Sequence, residues 1–247
     1  MNICYYIIYY PLVSTIFYLI TCFMLGLFRE RLGYIYKNNV YYQVFIKFSG
    51  IMYNLIMTLF SGIICFVLSV LLLQEYNTVF NHNIFFIEPI IKNKDILNIC
   101  WIFCHSKIIE FFDTYFILLK GGKPIFLQKF HHIGAVWMWY LVLTQKSSFI
   151  IGPTLFNSFV HTVMYLYYML SILDKNKLLN CIKPFITLLQ IIQLSYGTIA
   201  GISYITYHYD TEFMVYPIIF LIYTTCMVLL FLNFSYNQYF IKYNKNK

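Results

Sequence analysis

The chain has 247 residues, of which 61% are hydrophobic and 11% are charged, and its formal net charge is +8. Soluble domains have roughly 45–50% apolar and about 25% charged residues, so this composition excludes an ordinary soluble protein. At about 20 residues per crossing, such a chain has room for six or seven membrane-spanning helices and little else. We therefore expect an all-α integral membrane protein that forms a single polytopic domain over residues 1–247.

Seven apolar runs follow one another along the chain, and we interpret each run as one helix. The first positive side chain is Arg29, so no basic segment precedes the first run and no cleaved signal peptide is expected. The seven cysteines lie in or beside apolar runs without CxxC spacing, which predicts neither a zinc site nor a disulfide framework. The runs fall at about 5–28, 49–73, 97–119, 130–145, 149–173, 184–206 and 213–236.

The charges between the runs predict an orientation in the membrane. If the N-terminus is luminal, the segments assigned to the cytosol are strongly basic and the luminal loops are slightly acidic. Cytosolic loops of membrane proteins carry an excess of Lys and Arg, so we expect a luminal N-terminus and a cytosolic C-terminus. A basic cytosolic surface suits anionic headgroups or a phosphate-bearing substrate.

Three charged residues lie inside the third apolar run. On a continuous helix Glu110, Asp113 and Thr114 would share one face, with Lys107 one turn before Glu110. Each charge costs roughly 2.5–3.5 kcal/mol at the centre of a spanning helix, so these residues must pair or line a wet cavity. Two interpretations are open: a pair near the membrane surface that only holds helices together, or the wall of a polar pocket.

The fourth and fifth runs each carry a polar stripe with histidine. Gln128, His131 and His132 stand at i, i+3 and i+4. Ionisable residues at membrane depth are costly, so chemistry is the default expectation, although a hydrogen-bonded structural role is the alternative. Stripes in the second and sixth runs are more typical of helix packing. The fifth-run stripe consists of Asn157, His161, Tyr165 and Tyr168; the other two consist of Asn54, Thr58 and Ser61, and of Gln190, Gln193 and Gly197.

Several kinds of membrane protein could use buried histidines. A di-iron oxygenase would need more histidine ligands than six histidines supply, and His82 and His208 fall in predicted luminal loops. No Ser or Cys has the spacing of a nucleophile beside a His, which leaves a histidine that itself attacks a thioester. A polytopic transporter with a buried polar pathway is the competing class, but neither stripe is broken by Gly or Pro. A scaffolding role ranks third.

Five sequence blocks carry a resemblance to a known family. They are YNLIMTLFSG (53–62), SKIIEFFDTYFILLK (106–120), FLQKFHH (126–132), NSFVHTVMYLYY (157–168) and KPFITLLQIIQ (183–193). In these blocks the chain resembles the ELO-type fatty acid elongases, which are very-long-chain 3-oxoacyl-CoA synthases. The family's box usually reads HxxHH, whereas Gln128 stands first here, and the preceding loop reads KGGKP instead of a more basic stretch.

The resemblance implies a fold, a reaction and partners. The fold is seven helices, six of them ringing a closed acyl tunnel that opens to the cytosol. The reaction joins a long-chain acyl-CoA to malonyl-CoA with release of CO2 and CoA, without a cofactor or a metal. The resemblance further implies a multi-pass protein of the endoplasmic reticulum membrane that contacts lipid, allows a homodimer and binds no nucleic acid. Its partners are a 3-oxoacyl-CoA reductase, a dehydratase and an enoyl-CoA reductase.

The resemblance also implies roles for individual residues. His131 would be the nucleophile that holds the acyl chain, His161 would handle protons or steady the malonyl carbonyl, and His132 would orient this pair. Gln128 and Asn157 would donate hydrogen bonds to oxyanions. The pocket wall would comprise Lys107, Glu110, Asp113, Tyr165, Tyr168 and Gln190. The CoA entrance would comprise Lys120, Lys123, Lys129, Lys175, Lys177 and Lys183.

Overall fold

Helices account for every regular element that the structure, a computed structural model, describes in residues 3–75, 94–145, 148–174, 177–207 and 215–241. The all-α class is confirmed for these residues. A 3-10 turn at Ser148–Ile150 leads into the seventh helix, and a π-helical segment at Tyr236–Ile241 continues the ninth. The α-helices are α1 (Ile3–Leu27), α2 (Arg29–Asn38), α3 (Val40–Gln74), α4 (Lys94–Ile109), α5 (Phe112–Leu119), α6 (Phe126–Thr144), α7 (Ile151–Leu173), α8 (Lys177–Tyr207) and α9 (Val215–Ser235).

Four described segments are long and apolar enough to cross a membrane, namely Ile8–Leu27, Val40–Gln74, Cys181–Thr206 and Val215–Ile241. They lie in α1, α3, α8 and α9. The helix α4 has 16 residues, fewer than the roughly 20 that a straight crossing needs. The helices α6 and α7 are long enough, but their polar stripes lower their mean hydropathy. The structure thus supports a membrane protein, while the count of seven spans stays a prediction.

The helices α2, α3 and α8 differ most from the predicted runs, and α8 begins at Lys177, before the predicted residue 184. An additional short helix, α2, covers a polar stretch where no apolar run was predicted. Next, α3 begins at Val40, well before the predicted residue 49, because Asn39 caps it: the Asn39 Oδ1 accepts a hydrogen bond from the Tyr42 backbone N at 3.0 Å. Hydrophobic periodicity detects the apolar part of a helix and misses a polar N-terminal extension that is stabilised by a capping residue.

The third predicted helix is broken, so the expected continuous helix over 97–119 is wrong. The turn at Glu110 and Phe111 separates α4 from α5. Here the Asp113 N donates a hydrogen bond to the Glu110 O and the Thr114 N donates one to the Phe111 O, both at 3.1 Å and both between residues three apart. Such i→i−3 bonds wind the backbone more tightly than an α-helix. Thr114 consequently does not share the cavity face with Glu110; its hydroxyl bonds to the Tyr18 hydroxyl of α1 at 2.9 Å.

The helices pack around a common interior. α3 packs along α7, α7 against α8, α8 along α9, α9 against α6, α6 against α4, and α4 against both α3 and α7. These contacts close a circuit of six helices. α1 lies outside it, against α5 and α6, where Tyr18 packs with Phe111, Tyr115 and Val136.

One end of the circuit is filled by a packed apolar cluster. Most of its buried members come from the C-terminal halves of α3 and α6 and from the N-terminal parts of α4, α7 and α9, which lie at the same end of the bundle. This cluster, which we call the apolar plug, leaves the other end to the cavity described below. The plug includes Ile64, Leu68, Ile96, Cys100, Val142, Leu143, Ile150, Ile151 and Phe220.

Candidate functional site

A cavity of about 580 Å³ lies inside the helix circuit. Its volume falls in the range of about 300–1,000 Å³ that is typical of ligand pockets. The polar stripes of α6 and α7, the turn after α4 and one face of α8 all contribute to its wall. The predicted catalytic and pocket-wall residues that line it are Glu110, Asp113, Gln128, His131, His132, Asn157, His161, Tyr165, Tyr168 and Gln190.

Two histidines from different helices face one another across this cavity. The ring centroids of His131 on α6 and His161 on α7 are 6.5 Å apart. The ring of His132 is 5.5 Å from that of His131 and packs edge-on against Tyr18 and Phe111 at about 6 Å. The imidazoles of His131 and His161 can therefore contact the same ligand, while His132 is held between them and the aromatic cluster of α1.

Lys107 lies behind the cavity wall and does not line it, which corrects the predicted pocket-wall assignment. Its side chain is 1% exposed, and its Nζ donates to the Glu110 Oε1 at 2.7 Å and to the Asn157 Oδ1 at 2.6 Å. The same ammonium lies 4.0 Å from the ring centroid of Phe103 and 4.9 Å from that of Trp139. Ion pairing, a hydrogen bond and two cation–π contacts together offset the cost of burying this charge.

Lys107 orients Asn157 and Glu110, which both line the cavity. Because an ammonium can only donate hydrogen bonds, Asn157 turns its carbonyl oxygen to Lys107, which leaves its NH2 group as a donor toward the cavity. The Glu110 Oε1 that Lys107 holds also lies 3.2 Å from the Nδ1 of His161. With Nδ1 on that side, Nε2 is the ring nitrogen left for a ligand. The Glu110 Oε2 is buried without a hydrogen-bond partner among the described residues.

The two open interpretations of the charged third run are both partly right. Lys107 and Glu110 form a buried pair that ties α4 to α7 through Asn157, and Glu110 and Asp113 are also cavity wall. The Asp113 Oδ2 accepts a hydrogen bond from the Tyr165 hydroxyl at 2.9 Å. This bond joins the stripe of α7 to the start of α5.

Tyr53 on α3 is a wall residue that the sequence analysis did not select. Its ring packs edge-on against that of Tyr165 at 5.9 Å, and its hydroxyl donates to the Ile109 backbone O at 3.3 Å, where α4 ends. Tyr53 opens the first matched sequence block and precedes Asn54, which also lines the cavity. A chain with 25 tyrosines gives a single Tyr little weight, and block membership was the available signal.

The rim of the cavity is basic, but only part of the predicted lysine set lies there. Lys120 and Lys183 line the cavity, whereas Lys123 and Lys129 do not. The side chains of Lys175 and Lys177 lie outside the described residues. Burial lowers the pKa of the Lys120 ammonium below its ordinary value.

Two further groups of the rim come from segments far apart in sequence. The Thr187 hydroxyl of α8 lies 3.0 Å from the Tyr239 hydroxyl of the π-helical segment, and both residues line the cavity.

Near Lys120, α2 packs on the loop before α6: a Cβ on Gly121, whose φ is +80°, would overlap the Cα of Gly33. Only glycine fits this close backbone approach at a positive φ.

No cluster of three or more His, Cys, Asp or Glu side chains suited to a metal is found within the described part of the chain. None of the six described cysteines takes part in a disulfide within the described residues. The expectation that the reaction needs neither a metal nor a cofactor stays a prediction.

Comparison with known proteins places these residues in a family context. The family model described as ELO, GNS1/SUR4 family, matches residues 5–247. Very long chain fatty acid elongase 7 of Rattus norvegicus is 35% identical over 148 residues, which cover 57% of this chain and 52% of the relative. Fatty acid elongase 2 of Trypanosoma cruzi is 34% identical over 102 residues, or 40% of this chain and 36% of the relative. Fatty acid elongase 1 of Trypanosoma brucei brucei is 36% identical over 98 residues, or 39% and 32%.

The chain thus spans between about a third and a half of the length of these curated relatives. The family match, in contrast, runs through all five sequence blocks and through every helix that contributes to the cavity wall. On that match, the chain belongs to the ELO, GNS1/SUR4, family.

Proposed function

We propose that this protein is the condensing enzyme of fatty acid elongation, a very-long-chain 3-oxoacyl-CoA synthase that joins a long-chain acyl-CoA to malonyl-CoA. The observation that carries the proposal is the pairing of His131 and His161 across a cavity inside the helix circuit with a basic rim, in a chain of the ELO family. The relatives' names, which refer to fatty acid elongases, supply the substrate class.

In the first half-reaction, a ring nitrogen of His131 attacks the thioester carbonyl of the acyl-CoA. An N–C bond forms and the C–S bond breaks, so the acyl group is held as an acyl-imidazole. The CoA thiolate leaves and takes the proton that the imidazole loses. A histidine is suited to this step because the neutral imidazole is a nucleophile near pH 7.

In the second half-reaction, malonyl-CoA binds beside the acyl-imidazole and loses CO2. The electron pair of the broken C–C bond remains as the enolate of an acetyl thioester, whose carbon attacks the acyl carbonyl. The new C–C bond forms, the C–N bond to His131 breaks, and the imidazole takes up one proton from solvent. The product is a 3-oxoacyl-CoA two carbons longer than the starting acyl group.

The described contacts support an electrostatic contribution to both steps. The NH2 group of Asn157, held by Lys107, and the amide of Gln128 are donors in the cavity wall. Fixed donors in a site without bulk water stabilise oxyanions and enolates better than water does. His161, with Nδ1 beside Glu110, would present Nε2 to the malonyl carbonyl or to the proton in transit.

The shape of the cavity supports separate places for the CoA moiety and the acyl chain. Lys120 and Lys183 at the rim would attract the phosphates of CoA. Leu194, Phe231 and Phe234 line its apolar part, where an acyl chain would be sheltered from water. The apolar plug closes the other end, which speaks against a continuous polar pathway and so against the competing transporter hypothesis.

The proposal extends to the cellular setting. The basic rim would lie on the cytosolic side of the endoplasmic reticulum membrane, with the N-terminus in the lumen and the C-terminus in the cytosol. A 3-oxoacyl-CoA must be reduced, dehydrated and reduced again to become a saturated chain, so the matching reductase, dehydratase and enoyl-CoA reductase are the expected partners. A homodimer is compatible with the exposed apolar helix faces.

The direct test is condensation by the purified full-length protein. Labelled malonyl-CoA and a panel of acyl-CoAs of graded length and unsaturation should yield labelled 3-oxoacyl products two carbons longer, with and without a metal chelator. His131→Ala is the matched inactive control. Failure of the folded wild-type protein to form any such product across the panel would overturn the proposed function.

A further inference from the structure

Tyr223 on α9 contacts the turn of α6 that carries His131. Its side chain is 8% exposed, and its hydroxyl donates to the backbone carbonyl of His131 at 3.2 Å. Its ring lies against Gly134: a Cβ on Gly134 would overlap the Cε2 of Tyr223. Phe130, which precedes the histidine pair, packs against the same ring with centroids 5.8 Å apart.

These contacts converge on one helical turn. His131 and Gly134 stand at i and i+3, so the ring and the hydroxyl of Tyr223 touch the same face of α6. A helical carbonyl has two lone pairs and normally uses one for the amide four residues on, so the hydroxyl can occupy the other. Neither Tyr223 nor Gly134 is a lining residue of the cavity, and no part of the proposed chemistry passes through them.

We propose that Tyr223 is a positioning residue for His131 and that Gly134 is glycine to admit its ring. This inference rests on the proposed function, in which His131 is the nucleophile. Tyr223 acts through the backbone of α6: it pins the carbonyl of His131 and sets the distance of α9 from α6. Because α9 also supplies Phe231 and Phe234 to the wall, the same contact aligns the acyl-binding wall with the nucleophile.

The rate of attack by a nucleophile depends strongly on how precisely the surrounding residues position it. A misplacement of about 1 Å can cost about 100-fold in rate even when the change lies away from the reacting atoms. Loss of the Tyr223 hydroxyl bond should therefore slow the acylation of His131 without weakening the binding of either CoA substrate, since no substrate contact is lost.

The primary test is Tyr223→Phe in the full-length protein, which keeps the ring on Gly134 and removes only the hydroxyl. We expect kcat and the single-turnover rate of His131 acylation to fall about 5- to 10-fold while both KM values stay within about 2-fold and the Tm is nearly unchanged. Tyr216→Phe, on the same helix, is the matched control and should retain wild-type kinetics.

A second pair of variants separates positioning from packing. Gly134→Ala should displace the Tyr223 ring and lower kcat further than Tyr223→Phe does. Gly152→Ala introduces the same kind of overlap at another helix pair, with the hydroxyl of Tyr196, away from the cavity. It should lower the Tm without lowering kcat.

The double variant Gly134→Ala with Tyr223→Ala removes the overlap, so it should regain thermal stability but not kcat. Wild-type kcat in Tyr223→Phe, or recovery of kcat in the double variant, would overturn the positioning role. These outcomes differ from failure of the proposed function, which would show as a wild-type protein that forms no condensation product and no acyl-imidazole; in that case the positioning role falls with it.

Discussion

The outward face of α3 and the inward face of α6 belong to the same bundle but differ in polarity. α3 presents large apolar side chains to its surroundings, with Leu59, Ile63 and Phe66 between 57% and 69% exposed. α6 turns its polar side chains inward, and His132 is only 4% exposed. In a bilayer an exposed Leu is favourable and a polar side chain is costly, so polar side chains mark the interior of the bundle.

The comparison separates two kinds of helix. The segments that qualify as spans by length and hydropathy lie in α1, α3, α8 and in α9 with its π-helical continuation, while α6 and α7 carry the cavity histidines and do not qualify. The polar stripes that lower the hydropathy of α6 and α7 are tolerated because they face the inside of the circuit that these two helices form with the others. Hydropathy alone therefore underrates the helices that matter most for function.

The largest expected effect comes from the inward face of α6. His131→Ala should abolish condensation and the covalent acyl-enzyme, with loss of at least about 1,000-fold in kcat, because the nucleophile is gone. Product formation from labelled malonyl-CoA and mass spectrometry of the acylated protein would measure both. An active, folded His131→Ala protein would remove the acyl-imidazole from the scheme.

The buried pair behind the wall should produce the next largest effect. Lys107→Met leaves the Glu110 carboxylate buried and unpaired, which costs about 3–5 kcal/mol of stability, and it frees the Asn157 amide to turn. Adding Glu110→Gln removes the unpaired charge, so the double variant should regain stability, measured as Tm.

Turnover of that double variant should stay at least about 10-fold low, because neither Asn157 nor His161 is held any longer. The exposed Lys47 supplies the control Lys47→Met, which should match the wild type. Full recovery of kcat in the double variant would show that Lys107 serves only to neutralise Glu110.

The rim lysines should have a smaller effect, on binding instead of turnover. Lys120→Ala with Lys183→Ala should raise the KM for both CoA substrates about 3- to 10-fold, since phosphate attraction is lost, and high salt should shrink the difference. The pair Lys123→Ala with Lys129→Ala, outside the cavity lining, is the matched control with a weaker expected effect. A larger KM change in the control pair would move the CoA entrance away from this rim.

The smallest effect is expected on the outward face of α3. Leu59→Ala removes an exposed apolar side chain, and surface changes away from special features usually alter stability by less than about 0.5 kcal/mol. Its kcat and Tm should equal those of the wild type. A marked loss of either would show that this face contacts something other than lipid, such as a second copy of the chain.

Much of the candidate site could be predicted from local sequence. The stripes at i, i+3 and i+4 depend only on helical geometry, and the structure brings Gln128, His131, Asn157 and His161 to one cavity as those stripes require. The all-helical class follows in the same way, because apolar runs of this length satisfy their backbone hydrogen bonds in lipid only as helices.

Other features depended on contacts between segments far apart in the chain. Helical spacing placed Lys107 on the wall, whereas the tight turn at Glu110 and the aromatic rings of Phe103 and Trp139 hold it behind the wall. The positions of Tyr53 and Tyr223 likewise follow from how α3 and α9 pack, which no local pattern encodes.

The sequence by itself thus determined which residues could do chemistry and on which helix faces they stand, because helical periodicity is a local property of the chain. Only the tertiary structure decided which of those residues meet, which lysine is buried and which lysines reach the rim. Burial and distance are properties of the packed helices, and they arise from side chains that approach one another across 50 or more residues of sequence, as the Lys107 and Tyr223 contacts do.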